Sequence, residues 1–222
     1  MRKRRPNLRG MKAPIPSATV ARLPRYLRCL ADLSNVAPQC SSDHIAEGAG
    51  VTASQVRKDL SFLGSHGTRG VGYDIDELMN QIRTVLGMTR THRVVIVGAG
   101  NLGSAITNYK GFEIWGFEIV AVLDVDDDKI GSPIDGLIVE SFGALTSIVA
   151  ERDIEIGVIA TPPAAAQTVA DKLTSAGVRS ILNLAPVVLK TSEGVSVRRV
   201  DLSTELGILA YHLSSASVAP GG

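Results

Sequence analysis

The sequence predicts an α/β protein in two parts, a small basic helical module followed by an acidic parallel-sheet body, and three observations predict it. Charge divides along the chain. Residues 1–90 hold 14 Lys and Arg against 7 Asp and Glu, whereas residues 91–222 hold 9 against 15, under a formal net charge of +1. At the join, Arg93-Val94-Val95-Ile96-Val97 runs into Gly98-Ala99-Gly100-Asn101-Leu102-Gly103, a buried-strand pattern opening into G-x-G-x-x-G. Apolar residues recur at helical spacing through the first part, while the second alternates short apolar runs with helical stretches.

Composition narrows the class. With 222 residues the chain accommodates a small domain and a medium one, and 45% hydrophobic with 20% charged residues is ordinary for a globular protein. The apolar runs at 119–123 and 157–160 are too short to cross a bilayer, and no apolar h-region follows the N-terminal charges, so a cytoplasmic protein is expected. Cys29 in a helical stretch and Cys40 in a loop-like one lack C-x-x-C spacing and a nearby His, which argues against structural zinc. Incidental thiols are the expected reading, with a redox pair as the alternative.

Residues 1–14 are basic without periodicity and are expected to form a disordered arm, and residues 15–90 a first domain. Val20, Leu23, Leu27 and Leu30 place a helix over residues 19–33, which requires Pro24 in its first turn. A short helix over 42–47 and the turn Gly48-Ala49-Gly50-Val51 complete the opening of a helix-turn-helix. Thr52-Ala53-Ser54-Gln55 reads as a capping box that starts a helix ending at Gly64. Val56, Leu60 and Leu63 then point inward, leaving Ser54, Gln55, Arg57, Lys58, Ser61 and Phe62 outward. That face suits DNA, since Gln and Arg address base edges while Ser and Lys fit phosphates. Residues 66–73 are rich in glycine and read as a hairpin with Arg69 near its tip, the wing of a winged helix aimed at a narrow minor groove. Ile75, Leu78, Ile82 and Val85 restore helical spacing over 74–86, and Gly87 ends the helix.

The glycine fingerprint has its full context. A strand precedes it, a helix with Ala105 and Ile106 follows, and a second strand over 117–123 ends at Asp124, 21 residues beyond Gly103. Gly98 permits a tight turn, Gly100 lets backbone approach a pyrophosphate, and Gly103 allows helix-on-strand packing, with helix N–H groups offered to the phosphates. The Asp124 carboxylate is expected to accept from both ribose hydroxyls and to repel a 2′-phosphate, which favours NAD(H) over NADP(H). Helices over 142–150 and 163–176 and strands over 155–160 and 180–182 continue the alternation. Thr161 and Asn183 close strands at their C-terminal ends, where such sheets bind ligands. The expected cofactor contacts are therefore Gly98, Ala99, Gly100, Asn101, Leu102, Gly103, Asp124, Thr161 and Asn183, in a six-stranded Rossmann domain over 91–200. His44, His66, His92 and His212 are the only histidines, and no acid–base set follows Asp124, so no enzyme is expected. Leu202, Leu206, Leu209 and Leu213 form a stripe on a helix over 201–214, suited to homodimerisation, ahead of a disordered tail over 215–222.

The chain resembles the Rex family of redox-sensing transcriptional repressors from about Ile15 to Leu213. The resemblance rests on Ile15-Pro16-Ser17-Ala18-Thr19, Arg22-Leu23-Pro24, Val56-Arg57-Lys58-Asp59-Leu60-Ser61 and Gly67-Thr68-Arg69-Gly70-Val71-Gly72-Tyr73-Asp74. Residues 97–103, Asn108-Tyr109-Lys110-Gly111-Phe112, Ile181-Leu182-Asn183-Leu184-Ala185-Pro186 and Val200-Asp201-Leu202-Ser203 complete it. It implies a homodimer that binds a palindromic operator through paired winged helices, is released by NADH and binds under NAD⁺, with a domain-swapped last helix. It also implies a redox switch carried by Arg28, Tyr109 and Asp201. Phe62-Leu63 stands where many relatives have an aromatic pair, and Leu184 where Phe is frequent. A small NAD-dependent oxidoreductase or CoA-binding subunit is the alternative, against which the winged helix argues. A constitutive DNA-binding protein that uses the Rossmann fold only to dimerise is a third reading.

Overall fold

The computed structural model describes residues 15–216 except His66 and Arg69, so the expected N-terminal arm, the wing-tip Arg69 and residues 217–222 lie outside the described residues. The chain divides between Arg90 and Thr91 into two compact units. Among the described residues no helix is long and apolar enough to cross a membrane.

The first unit orders α1 (Ser17–Leu33), β1 (Gln39–Cys40), α2 (Ser42–Ala49), α3 (Ala53–Phe62), β2 (Tyr73–Asp74) and α4 (Ile75–Leu86). Thr19, Leu23, Tyr26, Leu27, Cys29 and Leu30 form the buried face of α1, so Leu23, Leu27 and Leu30 fall inward as expected, while Val20 is exposed and Thr19 takes its place. Pro24 sits in the middle of α1 and not in its first turn. Pro24 and Val20, whose carbonyl loses its N–H partner to the proline, are both open to water, which lowers the cost. Helix α2 extends beyond residue 47 to Ala49, and Gly50 closes it with a left-handed φ of 66°. The capping box before α3 is half made. Thr52 Oγ1 accepts from the Gln55 N–H at 3.2 Å, but the Gln55 side chain turns to Asp59 instead of reaching back.

Cys40 departs from its loop expectation: it is buried in β1, which pairs antiparallel with β2 through Cys40 and Tyr73. Burial pushes the Cys29 thiol up and the Cys40 thiol up to about 11, which disfavours thiolate chemistry near neutral pH. A bridge between Thr68 and Gly72 forms the wing, and Asp74 caps α4 by accepting from the Glu77 N–H at 2.9 Å.

The second unit contains β3 (His92–Val97), α5 (Asn101–Thr107), α6 (Gly111–Ile114), β4 (Phe117–Asp124), β5 (Pro133–Ile134) and β6 (Leu137–Ser141). A 3₁₀ turn (Phe142–Ala144) leads into α7 (Leu145–Glu151), followed by β7 (Ile156–Ile159), α8 (Pro163–Ser175), β8 (Ser180–Asn183), β9 (Ser196–Arg199) and α9 (Leu202–Ala216). The sheet has seven strands in the order β5-β6-β4-β3-β7-β8-β9, not six, and only the β5–β6 pair is antiparallel. Alternate strand residues serve opposite faces. Val95, Val97, Ala121 and Leu123 pack with Leu145, Ile148, Val149, Ala166, Val169, Ala170 and Leu173 of α7 and α8, while Val94, Ile96 and Val158 meet Ile106 on the other side. The order reverses at β3, leaving a crevice at the C-terminal strand ends. Helix α9 continues to Ala216, so positions 215 and 216 are helical and not part of a disordered tail.

Candidate functional site

At the end of β3 the backbone turns sharply, and Gly98 takes φ 110° while its N–H donates to the Leu123 carbonyl at 2.7 Å. A Cβ on Gly98 would come 2.5 Å from the Ala160 carbonyl oxygen, and one on Gly103 would overlap the carbonyl of Gly98 itself. Gly100 differs: no atom stands within 4 Å of where its Cβ would be. Two glycines thus close the loop against the sheet, and the third leaves open space.

That space is a cavity of about 720 Å³ lined by Gly98, Gly100, Asn101, Leu102, Asp124 and Thr161 of the expected set. Ala99, Gly103 and Asn183 do not line it. Ala99 donates its N–H to Asp124 Oδ2 at 2.7 Å, and Gly103 supplies the close packing just described. Asn183 is buried, and its amide shapes the following turn by donating to the Val187 carbonyl at 2.8 Å and accepting from the Ala185 N–H at 3.0 Å. Sequence reasoning missed Asp126, Lys129 and Phe142, which also line the cavity. The run Val125-Asp126-Asp127-Asp128-Lys129 carried the signal for the first two.

Asp124 is engaged beyond expectation. Burial alone pushes its carboxyl up, but backbone N–H groups of Asp126, Ala99 and Val125, with Lys129 nearby, outweigh this and hold it below the usual range. Oδ1 accepts from Val125 at 2.7 Å and Asp126 at 3.0 Å, and Oδ2 from Ala99, so the expected carboxylate with both oxygens open to ribose is not what the fold presents. The reason is proximity: the glycine loop and the end of β4 converge on one carboxylate. The pocket nevertheless fits a dinucleotide. Gly100 leaves room for a backbone approach, and the Thr161 hydroxyl oxygen is buried with no hydrogen-bond partner at the cavity wall.

In the first unit, α3 presents Ser54, Arg57 and Lys58 to solvent, while Gln55 and Phe62 are half-buried. Arg57 donates from Nη1 to Ser42 Oγ at 2.7 Å, and so ties α3 to α2. Asp59, which sequence reasoning gave no role, is buried and accepts from Thr19 at 2.9 Å, Arg22 at 2.6 and 2.8 Å, Tyr26 at 2.7 Å and Gln55 at 3.0 Å. Its partners sit on α1 and α3, so the network fixes the orientation of α3 on α1.

The three switch candidates are each placed within their own unit. Arg28 is exposed on α1. Tyr109 packs edge-on against Phe112 with centroids 5.0 Å apart. Asp201 Oδ1 accepts from the Ser203 N–H at 3.1 Å and hydroxyl at 2.6 Å, which caps the start of α9.

Known proteins match both units. Residues 14–61 match the family model described as "Putative DNA-binding protein N-terminus", and residues 89–187 that of a CoA binding domain. The redox-sensing transcriptional repressor Rex of Streptomyces griseus is 53% identical over 199 residues, spanning 89% of this chain and 79% of the relative. The crystal structure of the Rex-family repressor RSP in complex with β-NADH superposes with a TM-score of 0.84 at 36% identity, covering 93% of this chain and 98% of that one. The same repressor in complex with β-NAD⁺ and operator DNA matches with a TM-score of 0.84 at 37% identity, covering 93% and 96%. On this identity and coverage the chain belongs to the Rex family of redox-sensing transcriptional repressors.

Proposed function

We propose that this protein is a cytoplasmic, homodimeric repressor that binds operator DNA through its first unit, binds NAD(H) through its second and leaves DNA when NADH binds. The observation that carries the reading is the pairing, in one chain, of an α3 braced by Asp59 with a glycine-lined cavity whose wall holds the unpartnered Thr161 hydroxyl. Residues 15–90 serve as the DNA-binding domain, 91–200 as the NAD(H)-binding domain and 201–214 as the dimerisation helix. Ser54, Gln55, Arg57, Lys58, Phe62 and Arg69 face DNA. Gly98, Ala99, Gly100, Asn101, Leu102, Gly103, Asp124, Thr161 and Asn183 form or support the cofactor site. Arg28, Tyr109 and Asp201 carry the switch.

Two features support a binding role over catalysis. The titratable side chains among the cavity's described lining are Asp124, Asp126 and Lys129, and Lys129 pairs with both carboxylates. They lie at the end of β4, where a dinucleotide places its adenosine half, away from the reactive ring. Dimerisation draws support from α9. Leu202, Leu206, Leu209, Tyr211 and Leu213 are each more than half exposed, and a lone 15-residue helix is marginal in water without a covering surface. An apolar hollow of about 160 Å³, lined by Val94, Ile96, Val158, Ile106, Phe112 and Phe117, opens on one face of the sheet and is a second apolar surface of the same unit.

Titrating NADH into a complex of the full chain with operator DNA tests the reading. Release by NADH, with NAD⁺ and CoA leaving the complex intact, is expected. A complex indifferent to NADH would return the second unit to a dimerisation role, and release by CoA would reassign the pocket.

A further inference from the structure

We propose that Asp126 and Lys129, more than Asp124, read the adenosine ribose and set the choice between NADH and NADPH. The inference rests on the NAD(H)-binding reading above and assigns specificity within that same cavity. Its starting point is the saturation of Asp124. Three backbone N–H groups occupy its two oxygens at 2.7 to 3.0 Å, and Lys129 Nζ approaches Oδ2 at 3.5 Å. A carboxylate offers about four acceptor positions, so this one has little left for a ligand. Its side chain is 9% exposed, and it acts as a stitch between the glycine loop and the end of β4.

Asp126 and Lys129 stand in front of it. Lys129 Nζ lies 3.1 Å from Asp126 Oδ2, both side chains are about 40% exposed, and both line the cavity beside Asp124. An ammonium carries three donors, and two are directed at these carboxylates, which leaves the third for a ribose hydroxyl. Two carboxylates and one ammonium sum to one negative charge, which opposes a 2′-phosphate at this rim. The balance is adjustable by one residue. Without the Asp126 charge, Asp124 and Lys129 cancel, and the ammonium can turn to a phosphate. Without Lys129, two carboxylates face the same position uncompensated, and a 2′-phosphate is opposed more strongly.

Dissociation constants of the full chain for NADH and NADPH, read by fluorescence for wild type and three variants, test the assignment. Asp126→Asn should narrow the preference for NADH by about tenfold, the size of one charge contact at a partly exposed site, and Lys129→Met should widen it. Asp124→Asn should lower the melting temperature and weaken both nucleotides, because it loosens the glycine loop, and should narrow the preference less than Asp126→Asn does, because its charge sits further from the ligand behind Lys129. An unchanged preference in both Asp126→Asn and Lys129→Met overturns the assignment, as does an Asp124→Asn protein that melts normally and changes only its preference. A wild-type chain that binds neither nucleotide overturns the NAD(H)-binding reading, and this assignment with it.

Discussion

A buried carboxylate with four partner side chains sets the first residue-scale expectation. Burial alone pushes the Asp59 carboxyl up, but hydrogen bonds from Arg22, Tyr26, Thr19 and Gln55 outweigh it and bring the group down to about 2 from an ordinary 3.8. A lowered native value adds stability that is present above the ordinary carboxylate range and lost as pH falls through the native value, so this share fades between about pH 4 and pH 2. Asp59→Asn should cost about 2–4 kcal/mol at pH 7, since it leaves the Arg22 guanidinium and the Tyr26 hydroxyl short of an acceptor. Denaturant titration checks the loss, and an unchanged midpoint would show that the network does not brace α3. The glycine loop gives a second contrast. Gly100→Ala should melt like wild type, because its Cβ meets open space, yet lose NADH binding and remain on DNA; Gly103→Ala should melt lower, because its Cβ strikes the Gly98 carbonyl. Equal melting of the two variants would refute the division of roles. Spacing made the glycines and Asp124 legible, because each motif position has its own steric demand. Asp59 was not, since periodicity scores inward positions by apolarity, and its main partner Arg22 lies 37 residues away.

At the scale of elements, α3 gathers the expected phosphate contacts, and its two basic residues should behave differently. Lys58 is exposed, so Lys58→Ala should weaken operator binding across sequences and flatten the log–log salt dependence by about one unit. Arg57 also holds Ser42 at 2.7 Å, so Arg57→Ala should add a drop in melting temperature to the same flattening. Gel-shift titrations over a range of salt, beside thermal melts, read both effects; wild-type affinity in the two variants would displace the recognition surface from α3. Elements with a cap or a continuous apolar run were legible. Thr52 announced α3 by its capping box and accepts the Gln55 N–H, apolar spacing announced α4, and the last four residues of β3 and of β4 are buried. In the second unit β5, β6 and β9 escaped notice; β6 is Leu137-Ile138-Val139-Glu140-Ser141, in which Val139 is the buried residue. β5 has two residues, and β9 is Ser196-Val197-Arg198-Arg199, an edge strand mostly open to solvent that gains its register by pairing with β8, Ser180 opposite Ser196 through Asn183 opposite Arg199. No local pattern encodes such a strand, because its stability comes from a neighbour already in place.

For the whole molecule, the last helix decides whether one chain suffices. Isolated helices of about 12–15 residues are marginal in water, and most helical stability comes from burying an apolar face. Helix α9 is fully helical over Leu202–Ala216 while Leu202, Leu206, Leu209 and Leu213 remain 58–75% exposed, so its fold calls for a surface that the described residues do not supply. A second copy fits that demand, because a symmetric pair would cover both helices with one contact type. Asp201 gives the helix its start, and side-chain hydrogen bonds from Ser203 are the largest influence holding its carboxyl below the ordinary range. Deleting residues 202–222 should therefore yield a monomer or weak dimer by sedimentation velocity, with half-sites bound poorly and no release by NADH. Asp201→Ala should keep the dimer, because a lost cap costs only about 1 kcal/mol, but weaken the coupling between NADH and DNA. Coupling is the ratio of operator affinities with and without NADH, so it separates a switch residue from a cap. A truncated chain that sediments as a full dimer and still leaves DNA on NADH addition would place dimerisation on the sheet face, and α9 would be left without a part in the signal.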